Sequence, residues 1–200
     1  MFVRHRPEND DLIARLRIQC ATTPLPAAAP QEGSTEAFNH WANAAAVLRA
    51  LGRNDNAFEA TDKALAIFPD SAFVHSLRGN LFAERGSLRE AEQEFKQSAA
   101  LETNGPTWSS LAVIYHREGR LTEEIGAWER ACALLPYPSP ELLALGYAEL
   151  AAHHPQKALQ EFDKAAASLP PQRERRDSQR FLANLARGRA IALSALGQQR

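Results

Sequence analysis

Residues 108–136 read WSSLAVIYHREGRLTEEIGAWERACALLP, and the spacing of large and small residues within them decides the fold. Trp108, Leu111, Ala112 and Tyr115 lie at i, i+3, i+4 and i+7, which is one face of a helix. Gly119 follows where that helix must stop, because glycine takes the left-handed stop conformation cheaply. Trp128 and Ala131 then mark a second helix, and Pro136 closes the stretch. The spacing predicts helix, tight turn, helix.

The same unit recurs along the chain. Small residues fall at Ala45, Gly79, Ala112 and Gly146, at steps of 34, 33 and 34 residues. Large residues stand four positions earlier at Trp41, His75, Trp108 and Leu142, and three later at Leu48, Phe82 and Tyr115. Turn glycines repeat at Gly52, Gly86 and Gly119. The second helices align Ala57, Ala91 and Ala158, then Phe95, Trp128 and Phe162, then Ala64, Ser98, Ala131 and Ala165. Prolines close three of the four blocks at Pro69, Pro136 and Pro170. In the first block, Phe58, Thr61, Leu65 and Phe68 read as one face of the second helix. Ser87-Leu88-Arg89-Glu90 reads as a capping box, Ser139-Pro140 as a cap followed by a first-turn proline, and Asp70 as a further cap.

These residues resemble the tetratricopeptide-repeat (TPR) family, over roughly Phe38 to Gln172. The resemblance implies an all-α, right-handed α-solenoid of stacked helix-turn-helix repeats, here 38–71, 72–104, 105–138 and 139–172. No single unit buries its apolar face alone, so stacked neighbours supply the core. Small residues such as Ala45 and Ala57 let the helices of a unit approach, and aromatics fill the gaps between units. Trp108→Ala and Trp128→Ala are therefore each expected to cost ~3–5 kcal/mol. Three positions depart from the family pattern. Glu124 stands where a small residue would touch Ala112, so it either opens the helix pair or turns outward and leaves the contact to Ile125. Restoring the small residue with Glu124→Ala is expected to be neutral or stabilising. Glu149 replaces an aromatic, and His153 replaces the turn glycine, so the His153-His154-Pro155 turn is expected to differ from the others.

Outside the repeats, 1–20 reads as a short helical segment and 21–37 as a Pro/Ala-rich linker. Residues 173–200 read as a capping helix or the start of a fifth repeat, with Leu185, Ala186, Arg189, Ala190, Leu193, Leu196 and Gly197 repeating the first-helix pattern. Ala190 would be its small residue.

Composition narrows the function. The 200 residues carry 23 Lys and Arg against 24 Asp and Glu, a balance that argues against a nucleic-acid-binding protein. No apolar stretch reaches the ~20 residues needed to span a bilayer, so membrane insertion is not expected. The charged, proline-containing start MFVRHRP does not read as a signal peptide, and the sequence alone predicts a soluble, cytoplasmic chain unless it is a piece of a larger membrane protein. Cys20 and Cys132 cannot build a disulfide framework or a zinc site. The six histidines show no HxxxH or HExxH spacing, so no metal or other cofactor is expected; His75 reads as a packed, hydrogen-bonded core imidazole and Cys132 as core filler. The sequence has no phosphate loop, GxSxG elbow or paired carboxylates, so no catalytic residues are assigned and no enzyme activity is expected.

The resemblance places first helices on the concave surface. Asn39, Asn43, Ala46 and Arg49, then Phe73, Ser76 and Asn80, then Ser109, Val113 and His116, then Leu143 and Tyr147 should point into that groove. Ala42, Ala46 and Ser110 stand where TPR proteins that clamp acidic tails carry Lys, Asn or Arg, so that specificity is not carried over. The mixed groove suits a protein or peptide segment of modest charge, bound by a non-catalytic scaffold. The alternative is a regulatory or anchoring segment of a larger bacterial membrane protein or glycosyltransferase-like enzyme. Self-association into a homo-oligomer is left open. The arginine-rich last helix offers a separate docking face for an acidic partner.

Overall fold

The computed structural model describes residues 34–169 and 175–197. The helix expected within 1–20, most of the linker, Pro170 and Arg173 lie outside them. The described residues form nine helices and no strand. They are α1 (Thr35–Ala50), α2 (Asn54–Ile67), α3 (Ala72–Arg85), α4 (Leu88–Leu101), α5 (Gly105–Glu118), α6 (Leu121–Leu134), α7 (Ser139–Ala151), α8 (Pro155–Ala167) and α9 (Arg175–Gly197). Helix α1 begins three residues inside the stretch expected to be linker.

Two compact units divide the chain, one ending at Gly86 and the other starting at Ser87. In the first unit α1 packs on α2, and α3 covers both. Its core joins Trp41, Ala45 and Leu48 to Ala57, Ala60 and Ala64, with Val74, Leu77 and Leu81 from α3. Ala45 and Ala57 are wholly buried, as close helix approach requires. In the second unit each helix from α4 to α9 packs on the next, and α9 also reaches α7. Phe95, Leu111, Ala112, Ile114, Trp128 and Ala131 are buried there, as is a cluster of Leu142, Ala158, Phe162, Ala165, Phe181, Leu185 and Ala192.

Helix starts fall into two kinds. Ser34, Ser71 and Asn104 cap first helices with side chains that accept from Ala37 N at 3.1 Å, Val74 N at 3.3 Å and Thr107 N at 2.9 Å. Second helices start straight after the tight turn, at Arg53, Ser87, Arg120 and His154, with ψ of 62°, 72°, 71° and 67°. None of these four makes a side-chain cap hydrogen bond. The expected capping box at Ser87 is therefore absent, because the turn holds its backbone away from the extended ψ of 157° that lets Ser34 reach back. Ser71 rather than Asp70 caps α3, and Ser139 is a buried first-turn residue facing Ser168, not a cap. Phe68 lies past the end of α2, 43% exposed, with its ring edge-on to Phe38. It stands outside the helix whose face it was expected to share.

The turn at His153 is not an exception either. His153 takes φ 60°, against 72°, 84° and 71° at Gly52, Gly86 and Gly119. His154 N donates to Glu149 O at 2.9 Å just as Arg53 N donates to Leu48 O at 2.9 Å. An L-residue in this conformation is strained, so His153→Gly is expected to stabilise the chain by about 1 kcal/mol. Urea unfolding followed by circular dichroism would check it; a loss of stability would mean that the imidazole contributes a contact outweighing the strain.

An ionic network in the second unit has a pH signature. Arg120 donates to Glu92, Glu118 and Glu123 at 2.8 to 2.9 Å, and its guanidinium stacks over the Tyr115 ring. Burial alone would raise the Glu92 carboxyl, but hydrogen bonds from Arg120 and Lys96 outweigh it and hold the group at about 2, against an ordinary 4.5. A depressed carboxyl stabilises the fold above the unfolded value and loses that contribution as pH falls toward the folded one. Melting temperature should therefore drop between pH 4.5 and about 2, and Arg120→Met should shrink that drop. An unchanged acid profile in the variant would remove Arg120 from the account.

Candidate binding surface

The groove residues expected from sequence meet different fates. In the first unit Asn39 and Asn43 are exposed on α1, and Phe73 at the start of α3 is 55% exposed. Arg49 is engaged: it donates to Glu84 at 2.9 Å, and Asn54 donates to the other Glu84 oxygen at 3.2 Å. Ser76 and Asn80 are half-buried, and Asn80 Nδ2 donates to Ser76 O within the helix. His75 Nε2 lies 2.9 Å from Pro69 O, and because a carbonyl only accepts, this nitrogen is the donor on a half-buried ring. The imidazole is hydrogen-bonded as expected, but it ties a loop.

In the second unit Val113 is 46% exposed on α5. Ser109 Oγ donates to Gly105 O at 3.2 Å and lies 3.4 Å from Glu141 Oε1 on α7. Leu143 packs against the core cluster. Tyr147 is also committed to the fold: its hydroxyl donates to Asn184 O of α9 at 2.7 Å, and its ring meets Phe162 edge-on. His116 is exposed, but its Nδ1 lies 3.0 and 3.1 Å from the two oxygens of Glu124.

That pair answers the question posed by Glu124. The carboxylate does not turn outward. It is buried on α6, where it accepts from His116 Nδ1 and, at 3.4 Å, from Trp128 Nε1. Glu149 repeats the device on α7, buried and accepting from His154 Nδ1 at 2.7 Å with Lys157 at 3.7 Å. Glu124→Ala would strand the Trp128 N–H and leave a void, so it should cost about 1–3 kcal/mol rather than stabilise. Chemical denaturation of the variant would check the sign.

Clefts accompany these carboxylates, one of about 240 Å³ being lined by Leu121, Ile125, Glu149 and His154 among others. A larger one of about 520 Å³ lies between α6 and α8 over α7, and is lined by Glu129, Cys132, Pro138, Leu142 and Lys157 among others. Cys132 packs half-buried against the core cluster at the edge of this cleft, and its thiol is pushed up to about 12 by burial and by the Glu141 and Glu161 carboxylates. It should alkylate far more slowly than a free thiol, which timed iodoacetamide labelling at neutral pH would show. The smaller cleft, about 230 Å³, is lined by His116, Glu124, Ala144, Tyr147, Ala148 and Ala151. Among the described residues no group of three His, Cys, Asp or Glu is placed to hold a metal ion, and no helix is long and apolar enough to cross a membrane.

On α9 the structure moves the buried face. Phe181, Leu185, Gly188 and Ala192 are buried, while Ala186, Ala190 and Leu193 face outward. The small packing residue is Gly188, not Ala190. Arg180 and Arg187 are exposed, and Arg189 pairs with Asp163 at 3.1 Å.

No family model matches the chain. Human tetratricopeptide repeat protein 7B is 32% identical over 108 residues, which is 50% of this chain and 13% of that protein's length. Among solved structures, a tetratricopeptide repeat protein from Parabacteroides merdae aligns with a TM-score of 0.67 at 16% identity, covering 80% of this chain and 60% of that one. YrrB, described as a TPR protein with an unusual peptide-binding site, aligns at 0.63 and 16% identity over 84% of this chain and 94% of its own. MamA aligns at 0.63 and 18% identity over 80% and 86%. Helix pairs on a 34-residue beat, small residues buried at the expected positions and these neighbours agree: the chain has the tetratricopeptide-repeat fold.

Proposed function

We propose that this chain is a non-catalytic scaffold that binds a protein or peptide segment on the surface formed by its first helices, the face that the TPR resemblance makes concave. The observation that carries the reading is that Asn43, Phe73 and Val113 face solvent on first helices, leaving apolar and amide groups uncommitted to packing. The peptide-binding site described for YrrB, which has the same fold, supports it. Substituting Asn43→Glu with Phe73→Glu in the first unit and Val113→Glu in the second should abolish affinity capture of the partner. Solvent-facing changes are cheap in stability, so helical circular dichroism should survive. The new carboxylates would lose water against a peptide backbone without a compensating partner.

The exposed arginines of α9 give a competing surface for an acidic partner. Capture that survives the first-helix substitutions but is lost on Arg180→Glu with Arg187→Glu, and weakens steeply with salt, would replace the proposal. The short match within a much longer human protein favours one further reading, that the chain works as one module of a larger polypeptide.

A further inference from the structure

Helices α5 and α7 approach at their N-terminal ends, where Ser109 faces Glu141, and leave the smaller cleft between their C-terminal halves. We propose that this cleft is a pocket for one apolar side chain of an extended peptide, with Nε2 of His116 accepting a backbone N–H beside it. The inference rests on the reading that first helices carry the binding surface, and adds which side-chain class is selected.

The tautomer of His116 follows from its partner. A carboxylate only accepts, so Nδ1, placed 3.0 and 3.1 Å from both Glu124 oxygens, must carry the hydrogen. In the neutral ring Nε2 is then a lone pair, and the side chain is 72% exposed, so that lone pair is open to a donor. Glu124 is itself fixed by Trp128, and the opposite wall is fixed because Tyr147 is tied to Asn184. The acceptor and the wall are thus pre-organised, which lowers the ordering cost of binding.

The lining selects the occupant. Ala144, Ala148 and Ala151 present methyl groups, and Tyr147 presents a ring. No Lys or Arg lines the cleft, and the Glu124 carboxylate stands behind the imidazole, so an acidic side chain is disfavoured there. At about 230 Å³ the cleft is below the ~300 Å³ at which pockets for whole small molecules begin, which suits one side chain. A peptide offers an N–H next to every side chain, so one residue can satisfy both features.

The test uses the full chain labelled with ¹⁵N in histidine rings and ¹³C in alanine methyls. The probes are acetylated, amidated tripeptides Ser-Leu-Ser, Ser-Gly-Ser and Ser-Glu-Ser. The leucine peptide should move His116 Nε2 and the Ala144 and Ala148 methyls saturably, and the other two should bind about ten-fold more weakly or worse. Ala144→Leu, which fills the cleft, should abolish the leucine-peptide shifts; Ala151→Phe, at its exposed rim, should do the same if the first variant folds poorly. Equal shifts from all three peptides, shifts that survive the filled cleft, or no shift at His116 would each overturn the pocket. Loss of partner capture in the Phe73 and Val113 variants alongside a failed peptide titration would sink the pocket and leave the binding surface standing.

Discussion

Phe162→Ala is expected to destabilise the second unit by about 3–5 kcal/mol, as a fully buried aromatic leaves both transfer energy and a cavity behind. The surroundings of this ring make collapse of the cavity difficult. On one side the ring carbons stand 2.4 to 2.9 Å from where a Cβ would sit on Gly146, and on the other 2.5 to 2.9 Å from the equivalent point on Gly188. Tyr147 closes a third side with ring centroids 5.3 Å apart. Two helices have therefore given up a side chain to admit one ring. A glycine inside a helix costs roughly 0.5–1 kcal/mol relative to alanine, and the close ring contact offsets it. Gly188→Ala alone should then cost about 1–3 kcal/mol, because the ring has no free direction in which to move. In the Phe162→Ala background the same change should be neutral or mildly stabilising, since the void accepts the methyl and the helix gains. Denaturant unfolding of the four proteins in a double-mutant cycle measures this. An identical Gly188→Ala penalty in both backgrounds would show that the ring and the glycine are not coupled.

The same cluster shows where sequence reading works and where it stops. Phe162 and Gly146 are legible because repetition fixes them, an aromatic and a small residue recurring on a 34-residue beat. Gly188 is not, because the last helix is longer than the others and a composition match slides along it; Leu185, Ala186, Arg189 and Ala190 satisfy the pattern on paper. What selects the face is the Phe162 ring, which requires a residue without a Cβ, and a pattern of apolar letters does not contain that requirement. Polar partners are hidden for a related reason. Glu124 and Glu149 look like faults in an apolar frame until the turn brings His116 and His154 to them. The pairs are separated by only eight and five residues, but periodicity reports which face a residue occupies and not which nitrogen waits there. Of the groove residues, Asn39, Asn43 and Phe73 face solvent as a first-helix position implies. Tyr147 is tied to α9, a contact that depends on a helix more than thirty residues away in sequence, and Leu143 packs against the core cluster.

Truncating the chain ahead of α9 should convert the second unit into an aggregating species. In the intact chain Phe181, Leu185 and Ala192 close over Leu142, Ala158, Phe162 and Ala165. Gly188 seals the Phe162 ring, and Asn184 and Arg189 supply polar ties to Tyr147 and Asp163. In one step, removing the helix bares a contiguous apolar face and takes away the tie that holds the Tyr147 ring. Exposed apolar patches of that kind drive association, and terminal units of stacked repeats need a covering element to stay soluble. Size-exclusion chromatography with light scattering should show oligomers or loss of protein, and a hydrophobic dye should bind strongly. The helix's outward side makes the test sharper. Leu182, Ile191 and Leu193 are 48%, 47% and 55% exposed in the intact chain. Leu182→Lys with Leu193→Lys should therefore leave stability within about 0.5 kcal/mol of the parent, as expected for surface positions. Leu185→Lys on the inward side should behave like the truncation. A truncated chain that stayed monomeric with an unchanged melting temperature would show that α9 rests on the unit without covering it. Equal damage from the Leu182 and Leu193 pair would instead mean that the outward face is packed.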